Sequence, residues 1–251
     1  SIAFRYSYNR NGYITGEKRT EDGKTTESAY IYDPLGQLTS FTKSTGYGEQ
    51  YAYDAAGNML QKVMTGEAGD NTSPASLTLK MQYNKANQLI SMANGQDKIA
   101  YSYDKNGSMV KKVLSSKTHG KLTDTYRYNT LDQLTGYMGY DGYQQQLTYD
   151  ANGMRLTKKE AGNGNRSTLE ELLRGNIAGL PEVMEPASSP INKDTKSAEQ
   201  LPELEWATTE YLYDLTQEYY QVIEEKTTGK SGTSKTAYAY GLERIAAYCV
   251  D

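Results

Sequence analysis

The sequence is poor in the residues that usually staple a small fold or carry chemistry. It has one cysteine (Cys249), one histidine (His119), one tryptophan and two phenylalanines in 251 residues. A single cysteine excludes an internal disulfide framework and a cysteine zinc site. No apolar run approaches the ~20 residues needed to span a bilayer, and no signal-peptide pattern opens the chain. The net charge of −4 is too mild to draw nucleic acid or an anionic membrane. Mean hydropathy is −0.78 and only 37% of residues are apolar, so there is little aliphatic surface to bury.

What the chain does have is tyrosine, 24 of them. Tyrosine buries a large ring while keeping a hydroxyl for water or a partner, and it favours strands. A folded β protein with an amphipathic aromatic core is therefore expected, not a disordered chain.

The tyrosines recur in one outline: tyrosine, any residue, tyrosine, Asp or Asn, two spacers, glycine. The copies are YSYNRNG (Tyr6, Tyr8, Gly12), YIYDPLG (Tyr30, Tyr32, Asp33, Gly36) and YAYDAAG (Tyr51, Tyr53, Asp54, Gly57). MQYNKAN follows at 81–87, then YSYDKNG (Tyr101, Tyr103, Asp104, Gly107), YRYNTLD (Tyr126, Tyr128) and LTYDANG (Tyr149, Asp150, Gly153). The second tyrosines stand 20 to 30 residues apart, one supersecondary unit per repeat. Residues at i and i+2 share a face of a strand. The Asp or Asn can accept a backbone N–H two residues on and so start a turn. Glycine, or Asn87 and Asp132 in its place, tolerates the positive φ that the turn needs. An apolar residue then usually starts a second strand. Each unit is thus expected to be a β-hairpin, and hairpins laid side by side would stabilise one another.

Three segments follow: a hairpin array over 1–161, an insertion over 162–209, and terminal repeats over 210–251 carrying Tyr211, Tyr213, Asp214, Tyr238, Tyr240 and Gly241. The stretch 162–210 has no tyrosine, four of the six prolines, and nine acidic against four basic residues. Ser167 and Glu170 have capping-box spacing, which predicts a short helix near 168–177. The segment 178–205 reads as an exposed loop. With a repeat under way by Tyr6, the chain is expected to be part of a longer protein.

The tandem motif resembles the YD repeat of the rearrangement-hotspot (RHS) family of bacterial secreted toxins and animal teneurins, over residues 4–160 and 211–251. The tail, YLYDLTQEYYQVIEE at 211–225 and YAYGLERIAAY at 238–248, is similar to the last repeats of large Gram-positive, wall-associated members. The resemblance implies a long antiparallel sheet that spirals into a shell around a C-terminal toxin. It places this chain in the shell wall as a non-enzymatic structural segment of a secreted or cell-surface protein. Its partners would be the rest of the shell and the cargo, and open strand edges would invite self-association.

Competing chemistries are weaker. Turn carboxylates could pair for glycoside cleavage, but Asn9, Asn84 and Asn129 keep the turn and discard the acid. DKNG at 104–107 opens like a calcium loop without the bidentate glutamate. His119 lies in a polar loop. TGKS at 228–231 has Glu224 where a phosphate loop needs glycine, and reads as a hairpin turn. No cofactor and no metal are expected. The second functional class is a carbohydrate- or partner-binding surface module built on tyrosine rows. Tyr137, Tyr140, Tyr143 and the pair Tyr219–Tyr220 are its candidate surface patch.

Overall fold

The structure, a computed structural model, describes residues 2–66, 76–162, 167–174, 205–214, 221–240 and 244–250. Apart from turns, loops and one short helix, those residues are antiparallel β-strand, as the alternating tyrosine pattern requires. They divide into two compact units. One comprises Ser1–Ser102, Lys112–Leu122 and Ser167–Glu185; the other comprises Tyr103–Lys111, Thr123–Arg166 and Pro186–Asp251.

The first unit is built on β1 (Ile2–Tyr8), β2 (Ile14–Glu21), β3 (Lys24–Tyr32), β4 (Leu38–Lys43), β5 (Gly48–Tyr53), β6 (Met59–Thr65), β7 (Ser76–Tyr83), β8 (Leu89–Ala93) and β9 (Lys98–Tyr103). These pair in chain order, each with the next. Strand β10 (Met109–Ser116) begins in the second unit and ends in the first. Strand β11 (Gly120–Tyr128) begins in the first unit and ends in the second, which continues with β12 (Leu134–Met138), β13 (Gln144–Tyr149) and β14 (Arg155–Ala161). After it come β15 (Trp206–Asp214), β16 (Gln221–Gly229), β17 (Gly232–Tyr240) and β18 (Arg244–Val250), from β11 onward again paired in order. One helix, α1 (Leu169–Arg174), belongs to the first unit.

The turns follow from the side chain that opens them. Asp54 Oδ1 accepts the backbone N–H of Ala56 and of Asn58, each at 2.9 Å. The same pair of bonds recurs at Asn9, Asp33, Asn84, Asp104, Asn129 and Asp150. An amide oxygen serves as well as a carboxylate, which is why Asn and Asp interchange. Three residues on, the chain turns left-handed, with φ +86° at Gly57, and also at Asn87 (+58°) and Asp132 (+57°).

Those two exceptions have a cause in the neighbouring turn. Asn87 Oδ1 accepts from Asn58 Nδ2, and Asp132 Oδ1 accepts from Asn106 Nδ2, both at 3.0 Å. At Gly36, Gly57 and Gly153 a longer neighbour fills the space, whereas nothing lies within 4 Å of a Cβ on Gly12. A Cβ on Gly36 would lie 2.5 Å from the Tyr13 hydroxyl, and one on Gly153 would lie 3.1 Å from Gln133 Nε2.

Pairing puts the motif tyrosines on one face. Tyr30 faces Phe41, which faces Glu49, then Met64, then Leu77, a single row across five strands. In the first unit this face also holds Leu79, Met81 and Ile99, so its core is aliphatic as well as aromatic. The row exposed at the start of the chain, Phe4, Tyr6 and Tyr8, lies on strand β1.

Helix α1 starts one residue later than its capping-box spacing implies. The box is Thr168 and Glu171: Thr168 Oγ1 accepts the Glu171 N–H at 3.2 Å, and Glu171 accepts the Thr168 N–H at 2.6 Å. Ser167 is buried instead, and Glu170 turns to the sheet. The rest of the expected helix, 175–177, lies outside the described residues, as do most of the loop 178–205, Tyr219–Tyr220 and Gly241.

Candidate functional site

The chemistry of this chain is concentrated on its tyrosine face. In eight of the motif hairpins the ladder slips by one residue just before the second tyrosine, between Ala52 and Tyr53 and at its counterparts. The bulge re-aims that side chain. Tyr53 Oη donates to the carbonyl of Leu38 at 2.8 Å, Tyr83 to Met59 at 3.0 Å and Tyr128 to Met109 at 3.1 Å. Tyr149 donates to Leu134 and Tyr213 to Arg155, both at 2.8 Å. Each acceptor opens the second strand of the preceding hairpin. Burial raises the pKa of Tyr53, with the Asp33 charge adding to it, so this hydroxyl holds its proton.

The first tyrosines supply ring surface. Tyr30 packs on Phe41 at 5.2 Å between centroids, and Tyr126 on Tyr137 at 5.1 Å. Tyr32 stacks on Tyr13 at 5.1 Å, and Tyr6 lies beside Tyr8 at 6.5 Å. Tyr211 neighbours Tyr213 at 6.5 Å and carries the Arg155 guanidinium over its ring at 4.9 Å.

Tyr137, Tyr140 and Tyr143 do not form an exposed patch. All three are half-buried, Tyr137 contacts both Tyr126 and Tyr143, and Tyr143 donates to the Glu160 carboxylate. Tyr137 takes its place opposite Tyr126 from cross-strand register, which motif spacing does not reveal.

Two carboxylates lie within the tyrosine rows. Glu49 accepts from Tyr47 Oη at 2.5 Å, from Tyr51 Oη, and from Lys62 Nζ at 2.8 Å. Burial pulls Glu49 upward, but hydrogen bonds from Lys62, Tyr47 and Tyr51 outweigh it and hold the carboxyl below its usual range. Burial and the Glu49 charge raise both tyrosines. Glu160 is held likewise by Lys158 Nζ at 2.7 Å, Gln145 Nε2 at 2.9 Å and Tyr143. Burial first, then the bond to Glu160, pushes Tyr143 up to about 12. A carboxylate saturated by donors is a poor general base, and tyrosines that hold their protons are poor nucleophiles.

The turn acids are equally committed. Asp54 Oδ1 accepts backbone N–H groups and its Oδ2 accepts Asn58 Nδ2, and the latter bond leads in lowering its pKa. Among the described residues no group of three or more His, Cys, Asp or Glu is placed to hold a metal. His119 lies in the β10–β11 turn with its N–H on Ser116 Oγ. Lys230 and Ser231 form the tight turn between paired Gly229 and Gly232.

This geometry, a bulged tyrosine hairpin whose hydroxyl bonds the hairpin before it, recurs through the chain. The family model described as Teneurin YD-shell matches residues 2–168. The chain belongs to this family. It is 25% identical over 201 residues to "Toxin subunit YenC1" of Yersinia entomophaga, covering 65% of this chain and 20% of that protein. The crystal structure of TcdB2–TccC3–Cdc42 matches with a TM-score of 0.59 at 14% identity, covering 98% of this chain and 12% of the solved one. The Photorhabdus luminescens Tc holotoxin pore matches with a TM-score of 0.58 at 14% identity, again over 98% and 12%. At such identities the structural likeness is one of fold. The YD-shell membership makes a structural, shell-like role the plain reading of the chain.

Proposed function

We propose that this chain is a stretch of wall in a YD-repeat shell that encloses or presents a C-terminal toxin or effector, and that it performs no catalysis itself. The observation that carries this is the relay of tyrosine hydroxyls to the preceding hairpin, which makes a continuous sheet out of units marginal alone. The motif tyrosines, turn Asp and Asn residues and turn glycines are, on this reading, structural parts of the wall. Its partners are the remainder of its own shell and the enclosed cargo. The parent protein is secreted or held at the cell surface, and the tail at 211–225 and 238–248 favours a Gram-positive, wall-associated type.

The test uses the full-length parent protein. Protease digestion of the intact particle should spare a segment C-terminal to Asp251 that is cut rapidly once the shell is opened by denaturant. A C-terminal segment digested at the same rate before and after opening would overturn enclosure. Retention on purified cell wall would support the wall-associated type, and its absence would reject that refinement alone.

A further inference from the structure

The turn end of each motif hairpin sets two residues in series, the left-handed one and the one after it. The second lies over the left-handed residue of the next hairpin. A Cβ on Gly57 would be 3.3 Å from Gln37 Nε2, just as Tyr13 overlies Gly36 and Gln133 overlies Gly153. Asn58 holds the same position with a shorter side chain, and Asn87 meets it through their 3.0 Å bond. In the fifth hairpin the position is Ser108, shorter still, and Asn106 of the same turn bonds Asp132 in its stead. Size is matched throughout the seven hairpins from Tyr6 to Arg155. In sequence, Tyr13, Gln37, Gln88 and Gln133 are each followed, one hairpin on, by a left-handed glycine. Asn58 and Ser108 are followed by Asn87 and Asp132. The Asx bonds do not require this match, since they are alike at Asp54 before Gly57 and at Asn84 before Asn87. Gly12 is also left-handed, with φ +82°, and among the described residues nothing lies within 4 Å of a Cβ there.

We propose that these two positions form a size code that decides which hairpin can follow which, and that Gly12 is its open half. A hairpin with Tyr or Gln after its turn fits ahead of glycine; ahead of Asn or Asp the long side chain meets a Cβ. A hairpin with Asn or Ser there fits ahead of Asn or Asp; ahead of glycine it leaves a gap in which contacts are lost. The β1 side of the sheet therefore takes a YD hairpin whose turn is followed by a long side chain such as Gln or Tyr. The code stands whether or not the wall encloses a cargo. The assignment of Gly12 rests on the chain being a stretch of wall.

Hydrogen exchange on the whole chain tests the code. Gly153→Asn should speed exchange of β13–β14 by about tenfold, from the left-handed penalty and the clash with Gln133. Adding Gln133→Asn should leave that hairpin about tenfold slower than the product of the two single effects, a coupling of the size that touching residues show. The reverse exchange, Asn58→Gln with Asn87→Gly, should show the same coupling in β7–β8. Double variants that only multiply the single effects would overturn the code. The sequence of the parent protein tests Gly12. A YD hairpin immediately before Ser1, with Gln, Tyr or a side chain as long after its turn, supports the assignment. Asn, Ser or glycine at that position, or no such hairpin, would overturn it, and neither result bears on protease protection of the C-terminal segment.

Discussion

Residues 24–65 and 120–161 are two versions of one four-stranded block, each residue of the second 96 places after its counterpart in the first, as with Tyr30 and Tyr126 or Tyr53 and Tyr149. The first block has the cross-strand row Tyr30, Phe41, Glu49, Met64; the second has Tyr126, Tyr137, Gln145, Glu160. The carboxylate has moved from the third strand to the fourth, with Gln145 in place of Glu49 and Glu160 in place of Met64, yet Lys62 and Lys158 each keep an acid partner. What is preserved is one carboxylate per lysine and ring cluster, not its position. At the turn the blocks also differ, with Gly36 in the first and Asp132 in the second.

The largest expected effect comes from removing the first block's carboxylate. Glu49→Ala leaves Lys62 and two hydroxyls without that acceptor, at about 3 kcal/mol in local stability of β5–β6. Hydrogen exchange of those strands measures it. Adding Met64→Glu to Glu49→Gln rebuilds the second block's arrangement and should recover more than about half of the loss, a coupling readable from a double-mutant cycle.

The turn gives the next effect. Gly36→Asp puts a Cβ where the Tyr13 ring lies and displaces its stack on Tyr32, costing about 2 kcal/mol. Asp132→Gly relieves a left-handed residue while losing the Asn106 bond, and should stay within about 0.5 kcal/mol of neutral. Equal costs in both would refute the neighbour-filling account of the glycine positions.

Where the blocks agree, so should their variants. Tyr53→Phe and Tyr149→Phe each remove one hydroxyl-to-carbonyl bond of 2.8 Å and should each cost about 1 kcal/mol.

The smallest effect is in pH. Glu49 and Glu160 have folded pKa values below the unfolded 4.5, so their contribution is complete above that pH. It is lost as pH falls through the lowered values. Tyr143, raised from 10.0 to about 12, contributes fully below pH 10 and loses this between pH 10 and about 12. Glu160→Gln should flatten the acid limb and weaken the alkaline one in denaturant melts across pH; unchanged limbs would count against the cluster.

Much of this was legible in the sequence, and the boundary is physical. The turns were readable because an Asx oxygen and a left-handed residue act within five positions. So was the shared face of Tyr51 and Tyr53, since strand period alone sets it. The hydroxyl of Tyr53 was not, because its acceptor depends on a one-residue slip that no spacing encodes. Nor was the carboxylate of Lys112, which comes from Glu170, 58 residues on. Ser167 and Thr168 both sit three residues before a glutamate, and only burial of Ser167 decides between them.

The tyrosine hydroxyls also give the wall a direction. In each bond from a hydroxyl to a backbone carbonyl the acceptor precedes the donor: Leu38 before Tyr53, Met59 before Tyr83, Met109 before Tyr128, Leu134 before Tyr149, Arg155 before Tyr213. A chain emerging from the ribosome or threading through an export channel, amino end first, would find every docking carbonyl already made. Assembly can then keep pace with emergence, each new hairpin fastening to finished work, and no course of the wall waits for one not yet laid.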